Sequence, residues 1–581
     1  MKKGMIFLLS LACLGTACSK EDIFSWENAS SQENGNGTSY STDPVATVEE
    51  DEDDDVAETS FDRTISIVFS PSGAASVSGD DKGVVSVNGN QVTVNNTITE
   101  EKVKYQLSGS TANGYFKVYS NNKQAIILNG VSITNPNGAA INNQGKKRCF
   151  VIVNGTNSLA DGASYTATPA EEDEKAAFFS EGQLIFSGQG TLTVTANGKS
   201  GISSDDYLHF QDAPTITVTS AAGHGFRGKD YIQVSGGTLK ATVSGDGKKG
   251  MSSDSLVVFN GGVTTLNVSG GVLLEDGEYT GSAGVRADQL FVMNDGTLTV
   301  TNSGQGGKGI SCDGNGYFQG GTVKVTVTGS NYGQSSSGSR PGWGGGSSSS
   351  DSSKSAKGIK CEGNIFISGG SILCTVSSHE GLESKGNLVI SGGETYITST
   401  GDDAINSAYE MDVTGGFVYA NSSANDAMDA NHDMKLSGGY VFAVCTKGTP
   451  EVALDANTED RYTLYINSGA TVVAYGGLES GYSASQSVYG MSCKAGSWNA
   501  LYDGSTFIAA FKAPSGISSV AVSSPSLSKG YTGVSVGSEL CNGVWASDGI
   551  SGGDAVTLST YSGGSQGGGP GGGGPGGGWP R

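Results

Sequence analysis

The sequence predicts an all-β fold: a right-handed parallel β-helix, a solenoid, finished by a small C-terminal β-rich cap. Three observations predict it. First, 92 of the 581 residues are Gly, and Ser, Thr, Asn and Val are frequent. That is a composition of short strands and turns, poor in helix formers. Second, one segment is written three times. Glu380-Gly381-Leu382-Glu383, Asp403-Ala404-Ile405-Asn406 and Asp426-Ala427-Met428-Asp429 follow at intervals of 23 residues, each with a glycine pair twelve residues on (Gly392-Gly393, Gly415-Gly416, Gly438-Gly439). A fixed period in the twenties marks a stack of like structural units. Third, apolar residues alternate within each unit, as strands with one buried face require.

The chain divides as follows. Residues 1–17 read as a lipoprotein signal peptide: Lys2 and Lys3, an apolar run from Met5 to Leu14, then Gly15-Thr16-Ala17-Cys18. A short apolar run ending in small residues is a secretory leader, and Cys18 resembles the lipidated cysteine of a bacterial lipobox. Ser19-Lys20-Glu21-Asp22 resembles the surface-export signal of some Gram-negative lipoproteins. This gives an expected location at the outer membrane, held by lipid and displayed at the surface. The bland alternative is an ordinary cleaved leader with Cys18 incidental. Residues 18–62 are an acidic low-complexity linker containing Glu49 to Asp55, a self-repelling block expected to stay extended. Residues 63–475 form the predicted β-helix, 476–561 the cap, and 562–581 a Gly/Pro-rich flexible tail. No stretch after the leader is apolar and long enough to span a bilayer as a helix.

Within the array, the residue before each Gly-apolar pair sets position zero. It is Ser200, His224, Lys249, Ala283, Lys308, Lys357, Glu380, Asp403 and Asp426. Two longer intervals hold insertions, Gly271 to Gly281 and the Ser/Gly tract Ser330 to Ser355. Position +2 is always apolar (Ile202, Phe226, Met251, Val285, Ile310, Ile359, Leu382, Ile405, Met428), and +4 is small. Equivalent residues should stack about 4.8 Å apart. Cys312 and Cys361 then stack at +4, close enough for a disulfide or for a ladder of two buried thiols. Positions 0, +3 and +5 should point outward.

The outward columns carry the functional expectations. The net charge of −23 makes nucleic acid an unsuitable partner; metal cations or neutral polymers fit better. Down the array the outward face changes sign between Lys360 and Glu380. Its acidic end, Glu380, Glu383, Asp402, Asp403, Asn406, Asp426 and Asp429, is a dense hard-oxygen set of the kind that holds Ca²⁺. The alternative is a solvated ladder of turn-capping acids. Its basic end, His224, Arg227, Arg286, Lys308 and Lys360, suits acidic sugars. Trp343, in the Ser/Gly insertion, could stack on a sugar ring or merely anchor its loop. Position +5 partly complements position zero (Lys249/Asp254, Lys308/Asp313, Lys357/Glu362), which points to charge pairing within a unit.

Two enzyme readings were weighed. Gly401-Asp402-Asp403 and Gly223-His224-Gly225 resemble polygalacturonase motifs, but six strand spacings, roughly 29 Å, separate them. A calcium-dependent polysaccharide lyase needs an unpaired Lys or Arg base, and Lys360 and Lys385 both have acidic neighbours.

In the N-terminal half, Leu128-Asn129-Gly130-Val131-Ser132-Ile133-Thr134-Asn135, Gly155-Thr156-Asn157-Ser158-Leu159-Ala160-Asp161-Gly162, Phe179-Ser180, Gly188-Gln189-Gly190 and Gly201-Ile202-Ser203-Ser204-Asp205-Asp206 occur in order. This set resembles the parallel β-helix carbohydrate-binding domain-containing proteins, relatives of pectate lyases. The resemblance covers about Thr64 to Tyr561. It implies a calcium-binding surface protein that binds cellulose-like or uronate-containing polysaccharide without cleaving it. The open alternatives are a calcium-dependent lyase and a structural or adhesive surface protein without a sugar ligand.

Overall fold

The structure is a computed structural model that describes residues 51–166, 172–212, 214–333 and 354–563. The chain divides into two units, Met1–Thr59 and Ser60–Arg581. In the first, the acidic run does not stay extended. Glu52–Asp54 and Val56–Glu58 form 3₁₀ turns, started by the Asp51 and Asp55 carboxylates, which accept from Asp53 N–H at 2.9 Å and Ala57 N–H at 2.8 Å. An acid that caps its own turn offsets part of the run's self-repulsion.

The second unit is built almost wholly of strands. Around the thrice-written segment, the first unit's strands are Leu382–Ser384, Leu388–Ile390 and Glu394–Ser399; the next are Ile405–Ser407, Met411–Val413 and Phe417–Ser422; the third are Met428–Ala430, Met434–Leu436 and Tyr440–Cys445. Each pairs in parallel with its equivalent one repeat on, without slippage: Leu382 with Ile405 and Met428, Leu388 with Met411 and Met434, Ile397 with Ala420 and Ala443. The alternation read from sequence therefore aims Leu382, Ile405 and Met428 into one continuous apolar core, where all three are fully buried. The glycine pairs turn the chain between strands. Gly393, Gly416 and Gly439 adopt left-handed φ values of 72°, 81° and 71°, and a Cβ on Gly393 would lie 2.7 Å from the Gly369 carbonyl carbon. Any other residue there is strained twice over.

The expected fold class needs correction. The protein is all-β and its strands are parallel, but it is not an open right-handed β-helix solenoid of three separate strands per turn. First strands form a 15-stranded sheet. Second and third strands are knit into one 30-stranded sheet, because Gln124–Asn135, Leu256–Val268 and Leu290–Asn302 run through the corner without a break. The sheets close around one core as the wall of a barrel does. Antiparallel strands finish the ends: Ser76–Ser78 on Arg63–Phe69, and Ser519–Ser523 on Thr471–Tyr475 and Val488–Ser492. The misreading has a physical source. Hydrophobic period reports which side chains face the core, and is silent on whether neighbouring strands merge or the ends stay open.

The C-terminal region also does more than finish an end. Trp498–Asp503, Thr506–Lys512, Lys529–Val534, Glu539–Leu540, Trp545–Ala546 and Asp554–Val556 make a separate six-stranded antiparallel sheet. It packs Leu501, Phe511 and Trp545 against Tyr419 and Phe442, on the outer side of the large sheet. Trp545 is fully buried and donates Nε1–H to the Val418 carbonyl at 3.1 Å. Cys312 and Cys361 stack as expected and are free thiols, as are the other five described cysteines.

Trp545→Ala removes a fully buried aromatic, so it should cost about 3–5 kcal/mol. The main melting transition should fall; an unchanged melting temperature would mean the six-stranded sheet folds independently of the repeats.

Candidate functional site

The in-register pairing of the 15-stranded sheet fixes the outward columns. Along it, Arg227 aligns with Ser252, Ser252 with Arg286, Arg286 with Ser311, Ser311 with Lys360, and Lys360 with Glu383. Lys249 aligns with Ala283, and Ala283 with Lys308. Apart from Glu383, these side chains line a cleft of about 680 Å³ that contains every described residue of the predicted basic strip: His224, Arg227, Arg286, Lys308 and Lys360. Lys249, Lys357 and Lys354 line it too. Trp343 and Cys18 lie outside the described residues.

The expected charge pairing is rearranged. Asp254 is held by Arg227 (2.9 and 3.0 Å), not by Lys249. Asp313 is held by Arg286, which also binds Asp288 at 2.7 Å. Glu362 is held by Lys360 at 2.6 Å. The cause is strand geometry. Position +5 shares a face with +3, two residues away, so its acid meets the +3 cation of its own repeat, as in Lys360-Glu362, or of the repeat before, as in Arg227-Asp254, and not position zero. Among the described residues, Lys249 and Lys308 are therefore left without a carboxylate. The Lys249 ammonium donates to the Gly247 carbonyl, at 2.6 Å.

Both lysines are half-buried. Burial, then the nearby cations Arg286 and Lys248, pushes Lys249 down to about 8. Burial, then Lys360, Lys357, Lys354 and Arg286, does the same to Lys308. Burial likewise holds His224 well below the usual imidazole range, and its Nδ1 accepts from the Lys249 backbone N–H at 3.1 Å. Half-buried cations facing one another are costly unless an anion joins them.

The predicted metal set is split by the structure. Glu380 and Glu383 are not solvated. Lys357 Nζ lies 3.1 Å from Glu380 and 2.6 Å from Glu383, with Lys385 2.5 Å from Glu383. Burial opposes charge on Glu380, but His379 and Lys357 outweigh it and hold its pKa at about 2. His379 also reaches Asp402, at 3.1 Å, and His379, Glu380 and Asp402 offer atoms within 4.8 Å of one another. Asp402 accepts from Asn425 at 3.1 Å.

Asp403, Asp426 and Asp429 differ. Among the described residues no Lys or Arg pairs with them. Asp403 accepts from Asp426 N–H at 3.0 Å, and Asp429 from Asn406 at 2.8 Å. Burial, then the neighbouring acids, pushes Asp403 up to about 9, Asp426 to about 7 and Asp429 to about 6. Asp455 stacks next to Asp429 and is raised to about 9 by burial and by Glu479. Asp455 was missed because the array was ended at Asp426. Its signal was present: Val452-Ala453-Leu454-Asp455-Ala456 repeats the pattern of Asp426-Ala427-Met428-Asp429-Ala430 with an apolar residue at position zero. The donors are hard oxygens crowded without a counter-charge, a set that attracts a divalent cation such as Ca²⁺; the described groups whose ligand atoms converge within 4.8 Å are His379, Glu380 and Asp402, and Asp173, Glu181 and Asp205.

In-register parallel repeats around one core, with a cation-lined cleft, define an all-β repeat protein. The chain belongs to the carbohydrate-binding domain-containing protein family, whose family model matches residues 88–404 and 375–500. Comparison with curated proteins gives no match. One solved structure, titled "Structure of the polysaccharide lyase-like protein from C. thermocellum, Gadolinium derivative", is similar at 21% identity with a TM-score of 0.36, over 45% of this chain and 96% of that one. A likeness at that level carries no argument here.

The acidic group makes stability depend on pH. Carboxyls raised from 3.8 to about 6–9 on folding bind more protons folded than unfolded, so stability falls as pH rises through that window. In chelator, the melting temperature should drop from pH 5 to 9, and Asp403→Asn with Asp455→Asn should flatten the drop. A profile unchanged by both substitutions would show that these carboxyls are not raised.

Proposed function

We propose that the protein is a lipid-anchored outer-membrane surface protein that binds an acidic, uronate-containing polysaccharide in the basic cleft without cleaving it. The observation that carries the reading is the pair Lys249 and Lys308, half-buried in the cleft and without carboxylate partners among the described residues. A sugar carboxylate would supply the missing counter-charge, and a charge-assisted hydrogen bond contributes about 1.5–3 kcal/mol. Membership of a carbohydrate-binding family supports the ligand class. A neutral, cellulose-like chain would leave both lysines unmatched, so the geometry favours an acidic one. Ca²⁺ drawn to Asp403, Asp426, Asp429 and Asp455 would neutralise the acidic column. The lipid anchor at Cys18 and the surface location rest on the leader alone.

A second reading has one observation in its favour. Lyase chemistry on a uronate removes the proton α to the carboxylate, and a lysine with pKa near 8 is partly neutral at working pH and able to accept it. Lys249 and Lys308 both meet that condition, and Lys360 and Lys385 do not lack acidic partners. A structural or adhesive role without sugar gives no account of the two lysines.

Binding of the full chain to a panel of uronate and neutral polysaccharides, with and without chelator, tests the proposal. Uronates should bind and neutral chains should not. Lys249→Met or Lys308→Met should weaken binding by about tenfold or more. Free Lys249 and Lys308 lose their protons near pH 8 and must regain them to hold an anion, so affinity should be flat below pH 8 and fall above it. Burial opposes charge on Glu362, but Lys360 outweighs it and holds that carboxyl below its ordinary range, so it does not reverse the sign. Ultraviolet absorbance of an unsaturated product appearing during incubation would establish the lyase reading instead. Unchanged melting temperature on chelation would remove the metal from the account.

A further inference from the structure

The cleft's cations are spaced as well as charged. In the position-zero column the order is Lys249, Ala283, Lys308, aligned residue by residue. The two lysines without carboxylates are thus two strand spacings apart, about 10 Å, with an apolar methyl between them. At the middle level the adjacent outward side chain is Arg286, already engaged by Asp288 and Asp313. Among the described residues of these two columns, an anion at that level meets no cation without a carboxylate, and two carboxylates lie nearby. Resting on the reading above, we infer that the cleft selects a polysaccharide bearing an acidic group on every second sugar, laid along the stack with its anions at Lys249 and Lys308.

The match is one of length. A linked pyranose ring advances the chain by about one strand spacing, so a disaccharide advances it by two. Alternate acidic sugars meet Lys249 and Lys308, and the neutral sugar between them covers Ala283. A homouronate would add a carboxylate at the Ala283 level. Taking that group out of water without a partner costs more than its long-range attraction to the lysines returns. Charge number alone predicts the opposite preference, because the homouronate carries twice as many carboxylates over the same length. The preference therefore separates spacing from general attraction.

The test is calorimetric titration of the full chain with two oligosaccharides of equal ring number. One has a carboxylate on every ring, the other on every second ring. The alternating oligomer should bind about tenfold more tightly. Ala283→Lys, which fills the gap in the column, should erase or reverse that preference, while Ala283→Ser should keep it; the comparison on the unaltered chain needs neither variant to fold. Equal or tighter binding of the homouronate overturns the spacing inference and leaves the acidic-polysaccharide reading standing. If neither oligomer binds better than a neutral one, both fall.

Discussion

One constraint organises this molecule: each repeat advances by one strand spacing and pairs in register with the last. Residues equivalent in sequence therefore become neighbours in space. For apolar residues that is pure gain, because Leu382, Ile405 and Met428 pack on one another inside a single core. For charged residues it is a burden, since like charges stacked about 4.8 Å apart repel. The surface chemistry of the protein is the set of ways in which that repulsion is relieved or left unrelieved.

Three outcomes appear along the same face. Where +3 is an Arg or Lys and +5 an acid, as in Arg286-Asp288 and Lys360-Glu362, the charges close locally on one strand. At the change of sign, Lys357 clamps Glu380 and Glu383, and Lys357 keeps its charge despite burial because the two carboxylates outweigh the lost hydration. On either side of that junction the balance is missing. Toward the N-terminus Lys249 and Lys308 lack anions, and toward the C-terminus Asp403, Asp426, Asp429 and Asp455 lack cations. A fold that leaves one half-buried cationic and one buried anionic column has two places where an outside ion or polymer lowers the energy most.

Much of this was legible in the sequence. The 23-residue period fixed which residues stack, and with it the core at +2, the outward columns and the cleft residues His224, Arg227, Arg286, Lys308 and Lys360. Pairing between columns was not legible. The sequence matches Lys249 with Asp254 by distance along the chain, but side-chain direction gives Asp254 to Arg227. Burial was also hidden: Glu383 reads as an outward acid and is fully buried. The closure of the sheets was missed for a related reason. Period-two alternation looks the same whether Leu290–Asn302 is two strands with a corner between them or one that runs through it. Asp455 shows the reverse failure, a residue whose pattern was readable but which sat beyond the last acidic position zero.

The central claim is that the two lysines without carboxylates are where the ligand's anions sit. A crystal structure of the full chain with a bound acidic oligosaccharide tests it most directly. The account predicts sugar carboxylates within hydrogen-bonding distance of Lys249 and Lys308, with the chain running along the stack and a ring over Ala283. Sugar bound elsewhere, with both lysines still lacking an anion, would contradict it.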